Sequence, residues 1–123
     1  VYTDPEVAWV GLTEKEAEGK GIPYELGDFP WSASGKAMIL NAVQGKTKIL
    51  FDPKTKKVLG GAVVGPMAGD LVSEISLALE MGSDVEDLAL TVHPHPTLGE
   101  TVGAAAEVLE GTMTDLFLPQ KRK

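Results

Sequence analysis

The amino-acid sequence predicts an α+β fold, an antiparallel β-sheet with helices packed on one face. Three features predict it. Segments with β character crowd the chain up to Gly65, two of them flank a polar turn in hairpin order, and the stretches of helical period come later. With 123 residues, 43% of them hydrophobic and 24% charged, the chain has the size and composition of one globular domain.

The elements follow in order. Residues 7–10 read as a strand closed by Gly11. Thr13 and Glu16 have the spacing of a capping box, starting a short helix that ends between Gly19 and Gly21. Tyr24 and Leu26 alternate with Glu25 and Gly27, a second strand that reaches Phe29. Residues 31–36 read as a turn, and 37–41 show no period. Residues 47–52 and 58–65 form a hairpin around Pro53. The lysines of its turn, Lys54, Lys56 and Lys57, read as solvated, because no aromatic or Arg interleaves them.

Residues 69–81 read as a helix, with Leu71, Ile75, Ala78 and Leu79 on one face. Asp70 and Glu74 lie one turn apart on it. Chelation of a cation is one reading; the plainer one sets Asp70 against the positive helix end and leaves Glu74 solvated or bonded within the fold. Ser83 or Asp84 caps a short helical turn through Leu88. The last helix spans 98–110, with Leu98, Val102, Ala106 and Leu109 on one face and Gly111 placed to end it. Residues 112–123 are expected to be irregular.

Composition excludes several function classes. A net charge of −7 argues against a surface that grips nucleic acid. No apolar run approaches the roughly 20 residues that span a bilayer. The absence of cysteine removes a disulfide framework, a Cys zinc site and a catalytic thiol from this chain. The opening at Val1, with an apolar stretch close behind it, reads as a domain cut from a longer protein; N-terminal processing is the alternative.

One segment, from His93 to Glu100, stands apart as a carrier of chemistry. It holds both histidines of the chain, stiffened by Pro94 and Pro96, just before a helix. Pro96 also permits a cis peptide after His95. Three readings compete. In the first, Thr97 is an N-cap and Glu100 closes a capping box, which leaves the histidines incidental. In the second, His93, His95 and a carboxylate bind a metal, although zinc normally takes three or four protein ligands and no third His or Cys exists here. In the third, a His, whose ordinary pKa is about 6.5, exchanges protons while Glu100 fixes its tautomer. A His–Glu pair without a nucleophile, P-loop or dinucleotide fingerprint must act on another chain or domain.

The motif His-x-His-Pro-Thr-x-x-Glu, from His93 to Glu100, resembles the signature of the C-terminal interface domain of dihydrolipoamide dehydrogenases, flavin-dependent pyridine nucleotide–disulfide oxidoreductases. The opening from Thr3 to Glu14, the stretch from Phe29-Pro30-Trp31 through Lys36-Ala37, and the stretch from Gly60 to Glu74 are similar to segments of that family. The resemblance implies a homodimer formed through this domain, with FAD and NAD domains and a redox-active Cys pair in the full-length polypeptide and no cofactor held by this chain alone. It implies that His95 is the acid–base catalyst for the partner subunit's site and that Glu100 polarises its imidazole. The His95–Pro96 backbone would lie against the partner's FAD, and His93 would line the substrate approach. The implied substrate is dihydrolipoamide on the lipoyl domain of a 2-oxoacid dehydrogenase complex. The implied compartment is the cytoplasm of a bacterium or an organellar matrix of a eukaryote.

The fragment alone is expected to be inactive and to self-associate, with the helix at 98–110 a candidate for its contact surface. The alternative is a non-enzymatic dimerising or partner-binding module of the same fold.

Overall fold

The computed structural model describes residues 6–40 and 44–111. In chain order these form β1 (Val7–Gly11), α1 (Glu14–Lys20), β2 (Glu25–Pro30), a 3-10 turn (Trp31–Ala33), α2 (Gly35–Ile39), β3 (Lys46–Phe51), β4 (Val58–Val64), α3 (Ala68–Glu80), α4 (Val85–Leu90) and α5 (Glu100–Glu110). The four strands make one antiparallel sheet in the order β1-β4-β3-β2. The α+β expectation holds. The expectations for residues 1–5, 41 and 112–123 lie outside the described residues.

Alternation along the strands sets the two faces of the sheet. Thr47, Ile49 and Phe51 of β3, Val63 of β4 and Phe29 of β2 are buried. Helix α3 packs on β4 and β1, α5 packs on β2 and β3, and α4 packs on α5. The approach of α5 to β2 is close. A Cβ at Gly27 would stand 2.3 Å from the Ala105 carbonyl oxygen, so only glycine lets helix and strand meet there. On the opposite face Trp9, Ala62, Lys48 and Asp28 align in register. Lys48 Nζ reaches Glu14 Oε1 of α1 at 2.8 Å.

Local chemistry accounts for most boundaries. Thr13 and Glu16 close the expected capping box, and Gly21 ends α1 in the left-handed region. The hairpin turn is held by Asp52, whose carboxylate accepts from the backbone N–H of Lys54 and Thr55. Those bonds hold the Asp52 carboxyl below the usual carboxylate range. Asp84, one of two expected caps, forms a box with Asp87, and α4 runs to Leu90 rather than Leu88. The N-terminus of α3 takes its cap from a distant side chain, since Glu6 Oε2 accepts from Gly69 N at 2.9 Å.

Three expectations are corrected. The stretch after β2, expected as a turn without period, is helical from Trp31 to Ala33 and again from Gly35 to Ile39. Tertiary contacts hold it, because Trp31 and Ala37 are fully buried and Ser34 caps the second turn through Ala37 N. The last helix starts at Glu100, not Leu98, and Thr97 is not its N-cap. The Thr97 hydroxyl donates to the Pro94 carbonyl at 2.6 Å instead of serving the helix. Lastly, the face of α5 expected as a contact surface is core: Leu98, Val102 and Ala106 are buried within the protomer, with Leu109 packed against the same cluster. A helix period reports burial; it does not say which chain covers it.

Candidate active site

The loop that leaves α4 and enters α5 carries the motif, and α5 is seated from below by a buried polar chain. Trp31 Nε1 donates to Thr47 Oγ1 at 2.9 Å, Thr47 Oγ1 lies 2.8 Å from Thr101 Oγ1, and Thr101 Oγ1 donates to the Leu98 carbonyl at 2.7 Å. An indole N–H only donates and a carbonyl only accepts, so the direction of the chain is fixed from Trp31 to Leu98. All three side chains are fully buried, and each hydroxyl is satisfied. This ties the first turn of α5, and hence Glu100, to the sheet.

Glu100 and His95 meet at the surface. His95 Nδ1 lies 2.9 Å from Glu100 Oε2 and 3.0 Å from Oε1. Since a carboxylate accepts, Nδ1 carries the hydrogen and Nε2 is left as the basic nitrogen. Glu100 Oε1 also accepts from the Thr97 backbone N–H at 2.9 Å. One carboxylate thus performs both tasks that the sequence set in competition. It folds back on the turn before α5, as in half a capping box, and it orients the imidazole. The His95–Pro96 peptide is cis. The His95 side chain is 75% exposed, an arrangement suited to acting on something outside the chain.

His93 turns the other way. Its Nε2 lies 2.7 Å from Glu74 Oε2 of α3, and its side chain is only 12% exposed. The two histidines therefore engage different carboxylates. Among the described residues no three His, Cys, Asp or Glu side chains gather where they could hold a metal. Both histidines do line one cavity of about 270 Å³, walled by Ala33 to Gly35 on one side and by Glu100, Gly103 and Glu107 of α5 on the other. Just before it, the apolar side chains of Leu90 and Val92 are 73% and 93% exposed.

Sequence reasoning placed His95, Pro96 and Glu100 together where the loop enters the helix, and the structure brings His95 and Glu100 into contact there. It did not assign Glu74 to His93, nor find the Trp31–Thr47–Thr101 chain. Long-range side-chain pairs leave no periodic trace. One signal was present: Gly103 in mid-helix, a residue that weakens a helix and so asks for a packing reason. No helix among the described residues is long and apolar enough to cross a membrane.

The chain is similar to several known proteins. The dihydrolipoyl dehydrogenase of Vibrio cholerae is 61% identical over 115 residues, which are 94% of this chain and 24% of that one. The mitochondrial dihydrolipoyl dehydrogenase of Schizosaccharomyces pombe is 47% identical over 105 residues, 85% of this chain and 20% of that one. The chain therefore spans about a quarter of the length of the bacterial relatives that it matches. Among solved structures, LpdA of Mycobacterium tuberculosis superimposes with a TM-score of 0.84 at 29% identity, over 89% of this chain and 24% of that one. The HOCl-induced flavoprotein disulfide reductase RclA of Escherichia coli, at 22% identity and a TM-score of 0.80 over 86% of this chain and 24% of that one, shares the fold. Residues 1–106 match the family described as the pyridine nucleotide-disulphide oxidoreductase dimerisation domain. By that match, the chain is a member of this dimerisation-domain family.

Proposed function

We propose that this domain is the C-terminal part of a longer dihydrolipoyl dehydrogenase, and that it supplies the His95–Glu100 pair to the active site of the partner subunit. The observation that carries the reading is the His95 imidazole itself. It is bonded through Nδ1 to Glu100 at 2.9 Å, with Nε2 available on a side chain that is 75% exposed. A buried His would act within its own domain. This one is oriented by its own chain and open to another.

In the proposed reaction, His95 Nε2 takes the proton of a dihydrolipoamide thiol. The thiolate so made attacks a disulfide, forming a mixed disulfide as the original S–S bond breaks and the other cysteine sulfur leaves as thiolate. Glu100 fixes the tautomer and stabilises the imidazolium that forms. The disulfide belongs to another domain, since this chain has no cysteine. The exposed His95 and the Pro96 backbone are the groups of this chain that would meet a flavin held by the partner. When bound, the flavin supplies the two-electron acceptor that passes electrons from the dithiol to NAD. His93, which shares the cavity with His95, lines the approach of the lipoyl group.

The reading also carries a homodimer, the lipoyl domain of a 2-oxoacid dehydrogenase complex as protein substrate, and a bacterial cytoplasm or organellar matrix as its setting. Leu90 and Val92, exposed apolar side chains beside the loop, are groups that a partner subunit would cover. The test is His95→Gln in the full-length enzyme. Dihydrolipoamide oxidation should fall by about a hundredfold or more with flavin still bound. Unchanged turnover would leave the chain a dimerising module without chemistry.

A further inference from the structure

Two residues before His95 the chain is gripped by two helices. His93 Nε2 lies 2.7 Å from Glu74 Oε2 of α3, and because a carboxylate accepts, Nε2 is the nitrogen that carries the hydrogen. The other edge of the ring rests on α5 at Gly103, where any Cβ would stand 2.8 Å from Cε1 and 2.9 Å from Nδ1. Glycine is a poor choice in a helix interior; here the missing side chain is the space that the ring fills. Both edges of the His93 ring thus meet protein, one through a hydrogen bond and the other through packing, and 12% of its side chain is exposed.

We infer that Glu74, His93 and Gly103 form a positioning device that fixes the point from which the loop projects the His95 imidazole; the inference rests on the catalytic reading of His95 above. Pro94 and Pro96 make the link stiff, because each ring locks its own φ. A displacement at His93 is therefore passed on to His95 and not absorbed between them. Glu100 sets the orientation of the imidazole from the α5 side, and His93 sets the position of the backbone that carries it. None of the three residues touches the reacting atoms.

The test uses the full-length dimeric enzyme with Glu74→Ala, Glu74→Gln, Gly103→Ala and His95→Gln side by side. Two activities are read: dihydrolipoamide oxidation, which needs His95, and NADH-driven reduction of ferricyanide, which takes electrons from the flavin and needs no thiol proton transfer. Misplacing a reacting group by about 1 Å can cost about a hundredfold. With Glu100 still in place, Glu74→Ala and Gly103→Ala should each lower kcat for dihydrolipoamide about tenfold. Ferricyanide reduction and KM should stay within about twofold. Glu74→Gln keeps an oxygen that accepts from Nε2–H and should restore kcat to within about threefold of the unsubstituted enzyme.

An unchanged kcat in Glu74→Ala, or equal loss of both activities in Glu74→Ala and Gly103→Ala alike, would overturn the inference. The His95→Gln enzyme separates the two levels. If it loses dihydrolipoamide oxidation while Glu74→Ala does not, the positioning role alone fails; if it loses nothing, the catalytic reading fails and the positioning role with it.

Discussion

His93 and His95 stand two residues apart, each bonded to a glutamate, and burial sets them apart. His93 is wedged between α3 and α5 at 12% exposure and His95 projects at 75%. His93 spends Nε2 on Glu74, and His95 spends Nδ1 on Glu100. The difference teaches that a His–Glu contact is not a site by itself. The carboxylate distance is alike in both; what separates an anchor from an acid–base group is whether the second nitrogen faces protein or solvent.

The same substitution at the two glutamates should break this symmetry, and this is the largest effect expected. Glu100→Gln removes the charge that stabilises an imidazolium and should lower dihydrolipoamide turnover of the full-length enzyme about a hundredfold. Glu74→Gln should cost only the small factor given above. Steady-state kinetics on the two variants checks the contrast, and equal losses would erase the distinction between anchor and catalyst.

A second substitution tests what lies beneath the exposed half. Thr47→Val leaves the Trp31 indole N–H and the Thr101 hydroxyl without their buried partner. Stranding such groups costs about 1–3 kcal/mol, so thermal unfolding should show a clear fall in Tm. Thr101→Val should give a comparable fall, and the double variant should cost less than the two added together, because both break one chain. Additive losses would show that the two threonines are not linked.

The smallest effect is a control in the turn of the β3–β4 hairpin. Asp52 has its carboxyl held below the ordinary range first by the Thr55 and then by the Lys54 backbone N–H. Its folded pKa is thus lower than its unfolded one, so its stabilising contribution is full above the unfolded value and is lost as pH falls through the folded one. Asp52→Asn should therefore lower stability slightly at neutral pH, with the difference from the parent vanishing in acid, and should leave turnover unchanged. A stability difference that persisted in acid would assign Asp52 another role.

Much of this architecture was legible in the residues, for reasons that are local. Thr13 with Glu16, Asp84 and Gly111 act within a turn of the elements they begin or end, and such signals survive in a string of letters. The hairpin of β3 and β4 was legible because its turn and its β-branched runs are contiguous. What was not legible depended on distance. The helical turns at 31–39 exist because Trp31 is buried and bonded to Thr47, and α3 is capped by Glu6 from the start of β1. In the site, the pairing of His95 with Glu100 is local and could be expected. The grip on His93 comes from Glu74 and Gly103 on two separate helices, and the sequence offers no spacing that joins them.

The central claim is that His95 of one subunit works in the site of the other, and a mixed dimer tests it most directly. Subunits with His95→Gln are combined with full-length subunits whose redox-active cysteines, located outside this domain, are replaced. Each parent dimer is inactive. If His95 acts across the dimer, the mixed dimer holds one intact site of two and should recover about half of the normal dihydrolipoamide turnover. A mixed dimer as inactive as its parents would contradict the account, because it would place His95 and the cysteines that it serves in the same subunit.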